Sequence, residues 1–216
     1  MTTSATSLPK RKVVAAKETK TVHGLTVYKK TSPTLKKLLE EKDEPEIHGT
    51  KIWYSSFFVI DYLDANPPEK AANIMEIGCG WGFLSIYCAK QFAANVTGVD
   101  ADKHVFPFLN LHAQANGVKV EKKVARFENL KRKTLKKQDI VVGADICFWK
   151  ELIDPLYKVI KKSLEEGVSR IIIADPGRSP FLKLAKRCKK KFGAELFEVE
   201  IHEPSHKDGY LLIIDK

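Results

Sequence analysis

From Trp53 onward, apolar residues recur in two alternating rhythms. Trp53 to Leu63 has helical spacing and stops before Asn66, Pro67 and Pro68, because a residue preceding proline is pushed out of the helical region. Asn73 to Ile77 is a short apolar run entering glycines, which predicts a strand, and Phe83 to Phe92 returns to helical spacing. Asn95 to Val99 predicts a second strand ending at Asp100, and Phe106 to Ala115 a helix closed by Asn116-Gly117. Val118 to Val124 alternates as a strand does, and Asp139 to Cys147 is almost continuously apolar. Leu152, Leu156, Val159, Ile160 and Leu164 lie on one face of a helix that Gly167 ends, with Asp154-Pro155 at its start. Val168 to Ala174 predicts a buried strand and Phe181 to Phe192 a basic amphipathic helix. Glu195 to His202 and Tyr210 to Ile214 predict two strands joined by a turn containing Asp208-Gly209.

Strands alternating with helices predict an α/β fold whose sheet is mostly parallel and covered by helices on both faces. Two consecutive strands at the end predict an antiparallel hairpin added to that sheet, giving seven strands.

Upstream the pattern dissolves. Residues 1–45 are polar, Lys-rich and punctuated by Pro9, Pro33 and Pro45, and read as a basic, flexible leader to a single domain over 46–216. Two short pieces interrupt it: a strand within Thr21 to Tyr28 and an amphipathic turn at Leu35 to Glu40. At 216 residues and 44% apolar content, the chain is long enough for a sizeable core. Its longest apolar runs fall well short of a membrane span.

Charge and cysteines narrow the setting. The formal charge of +10 is concentrated in the leader, in Lys131 to Lys137 and in Lys183 to Lys191. Such a surface attracts acidic partners, nucleic acid included, although a solvated helix face accounts for it as well. Cys79, Cys88, Cys147 and Cys188 show no metal-ligand or disulfide spacing, so no metal is expected and a reducing, cytoplasmic location is. Cys79 and Cys147 read as small packing residues. Cys188, among lysines, reads as a surface thiol.

The chemistry is concentrated where the first strand turns into a helix, at Gly78-Cys-Gly-Trp-Gly82. Glycines there allow a ligand close approach to the backbone. Dinucleotide sites use G-x-G-x-x-G; here the spacing is G-x-G-x-G, and Glu76 precedes it by two residues. A carboxylate in that place repels a pyrophosphate and suits the ammonium of an amino-acid-bearing cofactor. Asp100, ending the next strand, is placed to accept hydrogen bonds from both hydroxyls of a ribose. It is also placed to cap the following turn, a task open equally to Asp102.

Glu76-Ile-Gly-Cys-Gly-Trp-Gly82, followed by Val96-Thr-Gly-Val-Asp100, resembles the cofactor motifs of class I S-adenosylmethionine (SAM)-dependent methyltransferases, over residues 47–216. The resemblance implies a Rossmann-like seven-strand sheet and SAM as cofactor. It places Glu76 and Gly78 near the methionine end, Gly80 and Gly82 also at the cofactor, Asp100 on the ribose and Phe127 beside the adenine. Family members commonly carry an acid in that last segment, where this chain has Arg126.

Asp145-Ile-Cys-Phe148 is similar to the Asp-x-x-Tyr element of the branch rich in protein-lysine methyltransferases, with the tyrosine hydroxyl lost. Asp175-Pro-Gly-Arg178 resembles the enzymes that methylate the electron-transfer flavoprotein β subunit. Ile52-Trp-Tyr-Ser-Ser56 resembles the branch's Trp-Pro stretch, placing Trp53 over the cofactor. These similarities imply transfer to a lysine of a protein substrate, with Asp145 holding the amine and Phe148 walling its channel, Asp145 also bordering the cofactor. A small-molecule N-methyltransferase, an RNA methyltransferase and an inactive SAM-binding module are the alternatives. His48, His202 and His206 receive no role.

Overall fold

The structure, a computed structural model, describes residues 17–41, 53–202 and 205–216. Its first described elements are a hairpin of β1 (Thr19–Val22) and β2 (Leu25–Tyr28), then helix α1 (Pro33–Glu41). Over residues 17–41 this corrects the expectation of a flexible leader. Leu25 and Val27 are buried in the main core, and Tyr28 and Leu35 pack with Trp81 and Phe108. Burying these apolar side chains offsets the entropy of ordering a short polar segment. The expected boundary at residue 45, His48 and Ile52 lie outside the described residues.

The remaining chain alternates as its pattern predicts. Helix α2 (Ser55–Ala65) precedes β3 (Asn73–Ile77), α3 (Phe83–Gln91), β4 (Asn95–Asp100), α4 (Phe106–Asn116) and β5 (Glu121–Val124). Then come α5 (Arg132–Leu135), β6 (Ile140–Ala144), α6 (Ile153–Glu165), β7 (Arg170–Asp175), α7 (Ser179–Phe192), β8 (Glu195–Ile201) and β9 (Lys207–Asp215). Seven strands form one sheet in the order β5-β4-β3-β6-β7-β9-β8. Pairing is parallel from β5 to β7, while β9 runs antiparallel to both β7 and β8.

Two cores flank the sheet. On one face Phe58, Ile60 and Leu63 of α2, Leu84 and Ile86 of α3 and Leu109 of α4 pack on Ile74, Val96 and Val142. On the other, Leu156, Val159 and Ile160 of α6 and Phe181, Leu184 and Cys188 of α7 pack on Met75, Val141 and Ile173. Successive residues of a strand serve opposite faces, so β3 supplies Ile74 to one core and Met75 to the other. The basic face of α7, including Lys183, Lys186 and Lys190, is exposed. Among the described residues no helix is long and apolar enough to cross a membrane.

Three local expectations are corrected. Asp208 and Gly209 are not in the terminal turn but inside β9, paired with Glu200 and Val199. Gly209 is required by close approach, since a Cβ there would collide with the Phe58 ring. The third strand begins at Glu121 and not Val118, because Val118 and Val120 turn inward against the core before pairing starts. Cys188 is fully buried rather than on the surface, and burial pushes its thiol up to about 12 despite the cation beside it.

Candidate active site

The strand order reverses at β3, which has β4 on one side and β6 on the other. In open α/β sheets the carboxyl ends at such a switch leave a crevice between loops diverging to opposite faces. A cavity of about 380 Å³ opens there. Trp53, Glu76, Gly78, Gly80, Gly82, Asp100, Phe127, Asp145 and Phe148, all singled out above, line it together. Residues spread over nearly a hundred positions thus converge on one cavity.

The glycine loop follows β3. Gly78 and Cys79 both donate backbone N–H bonds to Val99 O, 2.8 and 3.0 Å, tying the loop to the end of β4. Gly82, at φ 72°, caps α3 in the left-handed region, and a Cβ there would lie 2.6 Å from Leu109 Cγ. Gly80, at φ 50°, differs: nothing lies within 4 Å of where its Cβ would project. Trp81 turns the other way, stacked on Phe108 at 5.0 Å and on His112 at 5.6 Å between centroids. Its indole N–H is buried without a hydrogen-bond partner among the described residues.

Glu76 is 3% exposed. Its Oε2 accepts from the backbone N–H and the hydroxyl of Ser85, at 2.9 and 2.5 Å. Burial raises its pKa to about 8, with the Asp100 charge adding to the effect and the Ser85 bonds opposing it. Asp100 Oδ2 accepts from Gly80 N at 2.9 Å and Oδ1 from Asp102 N at 3.0 Å. Burial raises the Asp100 pKa, and these backbone bonds pull it back. The cap of the next turn is Asp102, whose carboxylate accepts from His104 N at 2.8 Å. Each Asp100 oxygen therefore keeps lone-pair capacity toward the cavity.

The opposite wall comes from the ends of β6 and β7. Asp145 takes φ 61°, a left-handed conformation rare outside glycine, and its N–H bonds to Ala174 O at 3.0 Å. Arg178, named above only within the Asp175-Pro-Gly-Arg178 resemblance, also lines the cavity. Its guanidinium pairs with Asp145 and, at 2.9 Å, with Asp175, and lies 5.7 Å from the Phe148 ring centroid. Asp175 is fully buried and also accepts the N–H groups of Gly177 and Arg178 at 2.9 and 2.8 Å. Burial raises its pKa, and the Arg178 bonds and charge oppose that shift. Phe148 and Trp149 meet edge to face at 4.7 Å and both line the cavity, Trp149 being 53% exposed.

Beyond β5, Phe127 begins a short 3-10 turn. Arg126, with a 69% exposed side chain, lies 3.8 Å from Glu128, and both residues border the cavity. An acidic group is thus present two residues after the position where the sequence lacked one. Only the 3-10 turn brings it there.

A parallel sheet with a terminal antiparallel hairpin, and a crevice walled by a glycine loop, a buried glutamate and a strand-end aspartate, define the class I SAM-dependent methyltransferase fold. The profile of the lysine methyltransferase family matches residues 29–191, and the chain belongs to that family, whose methyl donor is SAM. The chain is 26% identical to protein-lysine N-methyltransferase EFM3 of Chaetomium thermophilum, the match covering 74% of this chain and 55% of that protein. Identity is also 26% to the human electron transfer flavoprotein beta subunit lysine methyltransferase, over 56% and 45% of the two chains. A shorter match, 34% identical over 48% and 42%, is to a ubiquinone biosynthesis O-methyltransferase of Pelagibacter ubique. The chain spans about half the length of these curated relatives. Among solved structures, TrmN from Thermus thermophilus superposes with a TM-score of 0.60 at 15% identity, covering 74% of this chain and 48% of that one.

Proposed function

We propose that the protein transfers the methyl group of SAM to a lysine amine of a protein substrate. The observation carrying this reading is that Asp145, Phe148 and Trp149 wall the same cavity as Glu76, the glycine loop and Asp100. One crevice offers a place for a charged amino-acid cofactor and, beside it, an aromatic channel with a carboxylate in its wall.

The cavity residues fit SAM. The buried Glu76 carboxylate, destabilised by desolvation, gains from a neighbouring ammonium. The open space at Gly80 lets a ligand lie against the backbone, and Asp100 retains acceptors for two ribose hydroxyls. Phe127 supplies a flat apolar surface for a purine, and the Glu128 carboxylate an acceptor for an amino group. When bound, SAM supplies an activated methyl on sulfur, so the protein's task is to hold a neutral nucleophile in line.

A lysine amine has an ordinary pKa near 10.4, and it reacts only unprotonated. Phe148 and Trp149 strip water from it, which favours the neutral form. Arg178 binds Asp145 through Oδ1, while Oδ2 carries no hydrogen bond to a described residue. That oxygen is the acceptor we assign to the substrate N–H, orienting the lone pair toward the methyl. Arg178 holds the Asp145 carboxylate in place, so that it orients the amine.

A protein acceptor is favoured over a small molecule because the match to EFM3 extends over more of the chain than that to the O-methyltransferase. Trp149 also stands exposed at the cavity mouth, where a macromolecular surface reaches it. A cytoplasmic location accords with four free, buried cysteines. Label transfer from radioactive SAM into a cell lysate, separated into protein, RNA and small-molecule fractions, tests the reading. A discrete protein labelled on lysine supports it, and label confined to the other fractions overturns it. Asp145→Ala is expected to abolish transfer with SAM affinity retained, and equal loss of both would remove Asp145 from the acceptor side.

A further inference from the structure

The terminal hairpin gathers four metal-ligating side chains. Glu200 and Asp208 are register partners of β8 and β9, so their side chains leave the same side of the ladder. His202 directly follows the end of β8 at Ile201, and His206 directly precedes the start of β9 at Lys207. The side chains meet accordingly. His206 Nε2 lies 3.2 Å from Glu200 Oε2 and 3.6 Å from Asp208 Oδ1, and His202 Nε2 lies 3.7 Å from Glu200 Oε1. The two imidazoles stack at 5.4 Å, within 24° of parallel.

We infer that this cluster is a binding site for a divalent first-row transition metal of the zinc class. Ligand atoms at the corners of a tetrahedron with bonds of about 2.0–2.2 Å are separated by roughly 3.3–3.6 Å. The separations of His206 Nε2 from Glu200 and Asp208 match that edge, and one ligand atom from each of these three residues falls within a 4.8 Å span. His202, exposed and 3.7 Å from Glu200 Oε1, is a further imidazole available to such an ion. Two imidazoles with two carboxylates select zinc, cobalt or nickel over calcium or magnesium, which take all-oxygen cages. As ion pairs alone, groups this exposed contribute almost nothing to stability, whereas a metal makes use of all four at once. Lys207, the nearest cation in sequence, does not fill the site: its Nζ lies 5.3 Å from the Tyr54 ring centroid.

The test uses full-length protein without a polyhistidine tag, stripped with a chelator. Titration with Co²⁺ followed by visible absorption, then displacement by Zn²⁺ in a calorimeter, reads the coordination and the stoichiometry. One ion per chain is expected, with ligand-field bands and no sulfur charge-transfer band, because all four cysteines are buried. His206→Ala and Asp208→Asn alter exposed side chains, 57% and 80% accessible, so both variants should fold, which circular dichroism checks. Each is expected to weaken Zn²⁺ binding at least about tenfold, the smallest cost seen even for partners that only support a ligand. No Co²⁺ spectrum at millimolar metal, a sulfur band, or affinities equal to wild type in both variants would overturn the site. None of these outcomes depends on methyl transfer.

Discussion

Arg178 holds the carboxylate of Asp145 across the end of the sheet, and the same guanidinium pairs with the fully buried Asp175. One cation thus serves two acids from neighbouring strand ends, β6 and β7. Arg178→Ala leaves both carboxylates without it, and unpairing a buried charge costs on the order of 3 kcal/mol. The variant is expected to melt at a lower temperature and to lose transfer activity at least about a hundredfold, while its affinity for SAM changes little. Arg178→Lys, which keeps the charge and loses the fork, should recover stability better than activity. A variant as active as wild type would show that Asp145 needs no positioning.

The two loop glycines Gly80 and Gly82 are expected to separate in experiment. Gly80→Arg projects its side chain into open cavity space, so SAM binding should vanish with a stability loss of only about 1–2 kcal/mol from the left-handed backbone. Gly82→Ala meets Leu109 and should cost stability more than binding. Calorimetric SAM affinity alongside thermal melting checks the pair, and unchanged affinity in Gly80→Arg would remove the loop from the cofactor site.

Glu76 gives the ligand-free protein a recognisable pH dependence. Its pKa is about 8 in the folded chain and in the ordinary glutamate range when unfolded. Between those values the folded state binds the extra proton, so its contribution to stability falls as pH rises, by up to about 1.4 kcal/mol per unit. Asp100 and Asp175, also raised by burial, act with the same sign. Melting temperature should therefore decline from about pH 5 to about pH 8, and Glu76→Gln should flatten that decline. Cofactor binding below pH 8 should release a proton, read as a buffer-dependent heat. The same slope in wild type and Glu76→Gln would place the effect elsewhere.

The amino-terminal segment should behave as part of the fold. Leu35 is fully buried against Trp81 and Phe108, and Asn116 bonds both the N–H and C=O of Thr26 at 2.8 Å. Leu35→Ala is expected to cost about 2–5 kcal/mol and, by loosening Trp81, to weaken SAM binding as well. Full stability on chemical denaturation would mean that the segment is dispensable.

The sequence by itself determined the order of elements, the parallel sheet with its antiparallel ending, and most of the residues that line the crevice. Apolar periodicity is written locally, and a glycine loop preceded by Glu76 and followed by Asp100 carries its chemistry in single residues. Other features depended on residues that meet only after folding. Arg178 reaches Asp145 from thirty-three positions away, and Glu128 turns toward the cavity through a 3-10 turn that no pattern marks. The segment holding Leu25, Val27 and Leu35 looked like a soluble tail because few apolar residues lay among many lysines. Their burial depends on a surface built by α4 and Trp81, distant in sequence. Gly209 resembled a turn residue, but the Phe58 ring packed above it explains the missing side chain. Local propensity decides what a segment can become; the tertiary structure decided which of its residues had partners.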